Sequence, residues 1–193
     1  LEVFADLKAD ALTAKTFLVE DFLPERIDFV TEFTRDDIRL GENADLTVDA
    51  KYLFGAPGAD LAIEGELRLR AADGLADFPG YVFGRHDQPF DAVMDSFAPA
   101  RTDSEGKAML SIPLPEVDDP GRPLELRATV RVAEGSGRPV ERQVTQVMAP
   151  ASAMIGVKPL FDDVVAEGTE ARFNLLGIGP DAKALPMKVR YTV

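Results

Sequence analysis

The chain has a single histidine, His86, so any catalytic triad using an imidazole would have to be built on it. No Ser-His-Asp spacing points to it, and its neighbour Asp87 solvates it at low cost, which reads as a surface or packing role. Acidic residues stand in adjacent pairs at Glu20-Asp21, Asp36-Asp37, Asp118-Asp119 and Asp162-Asp163. These fall at loop or strand ends, where carboxylates satisfy local backbone donors. A calcium loop needs oxygen ligands at alternating positions and a Gly, and the Asp-x-Asp/Asn-x-Asp/Asn-Gly pattern is absent. Gly177-Ile178-Gly179-Pro180 lacks the Lys and the following helix that would complete a phosphate cradle, and reads as a loop between two strands. There is no Cys, which removes thiolate catalysis, disulfides and thiolate metal sites together. Asn43 and Asn174 stand outside glycosylation sequons. No nucleophile, base and oxyanion hole assemble, so the sequence assigns no catalytic, cofactor-binding or metal-ligating residue.

Composition narrows the partners. Formal net charge is -13, with 34 acidic residues spread along the chain and 21 Lys and Arg that form no basic stripe. Phosphate backbones require such a stripe, so a nucleic-acid partner is not expected; the acidity reads as a solvating surface. The apolar fraction of 46% is enough for a packed core. No apolar run approaches the roughly 18 residues of a membrane span, and residues 1–20 lack the basic and apolar regions of a signal peptide. The chain starts on a strand-like run, Leu1-Glu2-Val3-Phe4, without Met, and is expected to be a piece of something longer.

Period-two alternation indicates the elements that must position these residues. Leu46, Val48, Ala50 and Tyr52 alternate with Thr47, Asp49 and Lys51, and Gly55-Ala56-Pro57-Gly58 supplies the turn after them. Ile63, Leu67 and Leu69 face in while Glu64, Glu66, Arg68 and Arg70 face out. Leu124, Leu126, Ala128, Val130 and Val132 alternate with Glu125, Arg127, Thr129 and Arg131. The turn Thr102-Asp103-Ser104-Glu105-Gly106 leads into Ala108, Leu110 and Ile112. Further strands are expected near 15–20, 27–33, 140–148, 153–158, 170–178 and 186–193. With 14 Pro and 15 Gly, long helices are not expected; one short helical turn is read at Asp91 to Phe97. One wet face per strand implies an all-β fold of antiparallel sandwich modules.

The connection 71–101 carries Phe78, Tyr81, Phe83, His86 and Phe90. Unstructured connections beyond about 15 residues are uncommon unless packed or functional, and these aromatics suggest packing. Boundaries are read at the proline hinges Phe22-Leu23-Pro24-Glu25-Arg26 and Ala149-Pro150-Ala151-Ser152.

Three segments in this order resemble the macroglobulin-module region of the bacterial alpha-2-macroglobulin family. They are Phe17-Leu18-Val19-Glu20-Asp21-Phe22-Leu23-Pro24-Glu25-Arg26, Lys51-Tyr52-Leu53-Phe54-Gly55-Ala56-Pro57-Gly58-Ala59 and Thr102-Asp103-Ser104-Glu105-Gly106-Lys107-Ala108. The likeness spans residues 14–160 and consists of strand–turn–strand devices, which specify architecture rather than chemistry. It implies tandem macroglobulin modules, Ig/fibronectin-like: residues 1–24 end a preceding module, 25–149 form a complete one, and 150–193 start the next. It further implies a broad-spectrum endopeptidase inhibitor, a protease trap in which stacked modules form the scaffold. Its partners are then the neighbouring modules and, through the full-length protein, target proteases. The family's thioester motif, Cys-x-Glu-Gln, is absent, so capture chemistry does not reside in this stretch. The resemblance also implies a periplasmic protein, lipid-anchored to the inner membrane in its full length.

The scaffold reading predicts apolar patches at the hinges around Phe22 and Pro150. The alternative is an adhesion or carbohydrate-binding sandwich that uses the 71–101 loop, with Tyr81, Phe83, His86 and Asp87 as the binding surface; solvent-exposed coplanar aromatics there would favour it. An enzyme centred on His86 is a third reading, and it would require complete loss of activity in His86→Ala.

Overall fold

The computed structural model describes residues 2–3, 6, 12–16, 25–85, 87–135, 137–148, 150–190 and 192. The described fold is all-β, with antiparallel sheets throughout. Two short strands, β1 (Glu2–Val3) and β2 (Thr13–Ala14), pair with each other. Most of residues 1–24, the expected end of a preceding module, and the hinge at Phe22 lie outside the described residues.

A sandwich follows. One sheet holds β3 (Ile27–Phe33), β4 (Asn43–Tyr52) and β8 (Lys107–Pro113), in the order β3-β4-β8. The facing sheet holds β5 (Ala62–Ala71), β7 (Val93–Arg101), β9 (Leu124–Ala133) and β10 (Val140–Val147), in the order β10-β9-β5-β7. Alternation decides which residues enter: Ala44, Leu46, Val48 and Ala50 of β4 meet Ile63, Leu67 and Leu69 of β5 and Leu126, Ala128, Val130 and Val132 of β9 in one core. Burying each large aliphatic side chain contributes about 1.5–3 kcal/mol. Their partners on the outer faces are charged and pair across strands, as Arg70 does with Glu125 at 2.8 Å and Arg131 with Glu141 at 2.9 Å.

The two sheets are also joined along an edge. Arg142 on β10 reaches Asp28 on β3 at 2.9 Å and lies 5.8 Å from the Phe29 ring centroid, and the Gln146 amide donates to the Arg35 carbonyl oxygen at 3.1 Å.

Two sequence expectations fail here. Asp91 to Phe97 forms no helical turn: β7 begins at Val93 and runs as an edge strand beside β5. Its register slips between Ile63 and Gly65, so β7 carries an extra residue near Pro99. A bulge on an edge strand is where a proline without an N–H is tolerated. Gly65 makes the room: a Cβ there would lie 2.4 Å from the Phe97 ring, which instead lies buried against the sheet. Nor is there a strand at 186–193 among the described residues 186–190 and 192. The chain turns with Ala182 at φ 55°, makes an isolated bridge from Ala184 to Ile178, and reaches Pro186, which has no amide to continue a ladder.

A third sheet orders β12-β11-β6, from β6 (Val82–Phe83), β11 (Met154–Pro159) and β12 (Phe173–Ile178). Its middle strand pairs on one side with β12, and on the other with the two-residue β6 contributed by the long connection.

Candidate functional site

The residues with chemical potential are dispersed. His86 lies outside the described residues. Beside it, Arg85 forms a two-pronged pair with Asp87, Nε to Oδ1 at 3.0 Å and the guanidinium to Oδ2 at 2.6 Å. That hydrogen bond, then the Asp87 charge, pushes Arg85 above its ordinary value. Of the acidic pairs, Glu20-Asp21 is outside the described residues. Asp37 faces Arg35 at 3.7 Å, Asp119 accepts from the Gly121 amide at 2.9 Å, and Asp162-Asp163 is exposed in a bend. Among the described residues no group of three or more His, Cys, Asp or Glu side chains gathers to hold a metal ion. Gly177 belongs to β12, and Gly179 opens a turn in which its amide donates to the Lys183 carbonyl oxygen at 2.9 Å.

The motif stretches 51–59 and 102–108, in contrast, meet in one backbone knot. Ala50 donates its amide to the Gly106 carbonyl oxygen and accepts from the Gly58 amide, both at 2.8 Å. Asp103 Oδ1 accepts from the amides of Glu105 and Lys107 at 2.8 and 2.9 Å. Gly106 has φ +83°, and a Cβ on it would lie 2.3 Å from the Ala50 oxygen. Two residues past Ala50, at the same end of β4, the Tyr52 hydroxyl donates to Glu134 at 2.8 Å, and that bond is the main reason its pKa is raised. The knot satisfies backbone groups and presents no reactive centre.

The remaining structured feature is the junction between the sandwich and the third sheet. Phe83 pairs with Gly156 and Val82 with Val157. Phe83, Met154 and Ile178 form a second core, against which Leu75, Phe78, Tyr81 and Leu176 pack, whereas Phe90 packs on the main core. The aromatics of the connection are therefore divided between two cores. Tyr81 and Phe83 are tilted by 34° rather than coplanar, so they offer no flat platform. Pro150, at the second hinge, is buried, and Val147 beside it is partly exposed.

The opposite face of the third sheet is apolar and open: Val82, Ile155, Val157, Phe173 and Leu175 are all exposed. Sequence reasoning missed the pairing of Phe83 with Gly156. A two-residue strand has no periodicity to detect; the one available signal was a Gly inside an alternating strand, which marks close approach by something else.

Residues 25–150 match a family model described as "Bacterial Alpha-2-macroglobulin MG5 domain". An alpha-2-macroglobulin of Xylella fastidiosa is 33% identical over 179 residues, 90% of this chain and 11% of that protein. The alpha-2-macroglobulin of Escherichia coli is 26% identical over 83% of this chain and 11% of its own length. Among solved structures, Salmonella alpha-2-macroglobulin reacted with methylamine superposes with a TM-score of 0.65 at 26% identity, covering 83% of this chain and 11% of that one. The chain thus spans about a ninth of the length of these relatives.

Proposed function

The chain belongs to the bacterial alpha-2-macroglobulin MG5 domain family, and on that premise we propose that it is a scaffold segment of a broad-spectrum protease trap. Its part is to build and join modules, and it carries no catalysis of its own. The observation that supports this most directly is the junction: a sandwich whose long connection supplies a strand to the sheet that follows. Its partners are neighbouring modules of the same chain and, through the full-length protein, target proteases.

On this reading residues 1–24 end one module, 25–149 form the next, and 150–193 begin a third. The open apolar face of Val82, Ile155, Val157, Phe173 and Leu175 supports the last assignment, because a sandwich sheet needs a second layer over such a face. A periplasmic location, with an inner-membrane lipid anchor on the full-length protein, belongs to the same proposal and rests on the family resemblance alone. No helix among the described residues is long and apolar enough to cross a membrane. Exposed coplanar rings in 71–101 would have favoured the adhesion reading; Phe83 is instead buried and Tyr81 packs beside it.

The test compares the isolated chain with its full-length parent. The parent is expected to protect a large protein substrate from trypsin, and the isolated chain to leave trypsin unaffected. Inhibition by the isolated chain, or no inhibition by the parent, overturns the proposal. Methylamine incorporation into the parent, read by mass spectrometry, separates a thioester-bearing trap from a thioester-free one.

A further inference from the structure

We propose that residues 72–85 and 87–92 are an intramolecular docking surface, a clasp through which the sandwich holds the β11–β12 sheet at a second point besides the covalent crossing at 148–153. A single crossing past Pro150 would leave two bodies free to rotate about it. The connection is fastened at both ends to the sandwich: the Ala72 amide donates to the Pro123 carbonyl oxygen at 3.0 Å, and the Arg122 guanidinium donates to the carbonyl oxygens of Arg85 and, at 2.7 Å, Gln88. Gly84 lets the chain pass there, since its φ is +90° and a Cβ would lie 2.6 Å from the Arg122 Cβ.

Between these anchors the connection grips the third sheet by three devices. Val82 and Phe83 extend the ladder beyond β11. The Phe83 ring lies over Gly156, where a Cβ would come within 2.6 Å of it; an aromatic ring over a glycine is a fit that no larger residue at 156 would permit. Lys158 donates to the Pro79 carbonyl oxygen at 3.0 Å and lies 5.8 Å from the Tyr81 ring centroid. The feature recognised is thus a sheet edge carrying Gly and Lys at alternate positions, and the feature that recognises it is Pro79, Tyr81 and Phe83. The clasp deepens the scaffold reading and relies on it for its role in the intact molecule, while its geometry belongs to this chain alone.

Hydrogen exchange on the isolated chain tests it, with Phe83→Ala and Gly156→Val as independent variants. In both, amides over 154–159 and 173–178 are expected to exchange roughly tenfold faster or more, while 62–71 and 124–133 keep the protection of the unaltered chain. Unchanged protection over 154–159 in both variants overturns the clasp. So does a loss spread equally over all four segments, which would make the chain one cooperative body. Trypsin inhibition is not read in this experiment, so failure of the scaffold reading and failure of the clasp are separate results.

Discussion

The Thr102 hydroxyl donates to the Gly58 carbonyl oxygen at 2.6 Å and accepts from the Leu61 amide at 2.9 Å. This one buried side chain therefore ties the turn after β4 to the turn before β8, 44 residues apart. The Thr102 backbone adds two more bonds, its amide donating to the Leu61 oxygen and its carbonyl accepting from the Asp60 amide. Two chain reversals that would each be a surface loop become one closed unit at the end of the sandwich.

Replacing Thr102 with Val keeps the shape and strands a buried donor and a buried acceptor. A loss of about 2–3 kcal/mol is expected, because an unmet buried polar group costs its full desolvation. Thr102→Ser keeps the hydroxyl and should cost about 1 kcal/mol for the missing methyl. Urea unfolding of both variants checks this; equal losses would show that the methyl, not the hydroxyl, matters.

The left-handed glycines separate strain from crowding. Gly106 and Gly121 both have positive φ, but a Cβ on Gly106 meets the Ala50 oxygen at 2.3 Å whereas one on Gly121 meets nothing within 4 Å. Gly121→Ala should therefore cost only the left-handed penalty of about 1–2 kcal/mol, and Gly106→Ala about 3 kcal/mol or more, since the knot must also open. Denaturant midpoints of the two variants decide it, and equal shifts would mean the knot yields easily.

Asp103 gives the knot a pH dependence. Amide hydrogen bonds, from Lys107 foremost and then Glu105, hold its carboxyl below the ordinary 3.8. Folding thus favours the ionised form, so the stabilisation is present above the ordinary value and is lost as pH falls through the lowered one. Asp103→Ala should be less stable than the unaltered chain at neutral pH, and the difference should narrow in acid. Parallel urea titrations across that range test it; a difference independent of pH would mean the carboxylate charge contributes nothing.

The legible parts of the fold were those with a strict period of two. Strands β4, β5 and β9 put one residue set in and the other out over almost their whole length, with Thr129 of β9 the buried exception in the outward set, so the sandwich followed from the pattern. Strand β7 was not legible because its extra residue near Pro99 breaks the phase and its edge position leaves most side chains exposed. The reverse error arose at 186–190, where Met187 and Val189 alternate convincingly but pairing with β12 goes no further than the Ala184–Ile178 bridge and the Leu185 amide bond to Gly177, since Pro186 has no amide to continue it. The motifs at 51–59 and 102–108 were visible as separate turns. That they form one knot depends on contacts more than 40 residues apart, such as Thr102 with Gly58, and local pattern carries no such information. For the same reason the connection's aromatics could be read as packed, but not their division between two cores.

A clasp at two points should fix the angle between the sandwich and the third sheet, and that angle can be measured directly. The chain has no Cys, so two introduced thiols would be the only sites for spin labels. Ser96 on β7 and Asn174 on β12 are exposed and lie on the two bodies. In Ser96→Cys/Asn174→Cys, the label–label distance distribution is expected to be a single narrow peak, because β6 and the 148–153 crossing together leave no free rotation. Adding Phe83→Ala removes the ring that covers Gly156, and the peak should broaden or split while the sandwich stays folded. A distribution already broad in the unaltered background would mean that a two-residue ladder with Lys158 is too weak to resist rotation about Pro150. The same narrow peak in both would place the rigidity in the crossing itself, with β6 a bystander.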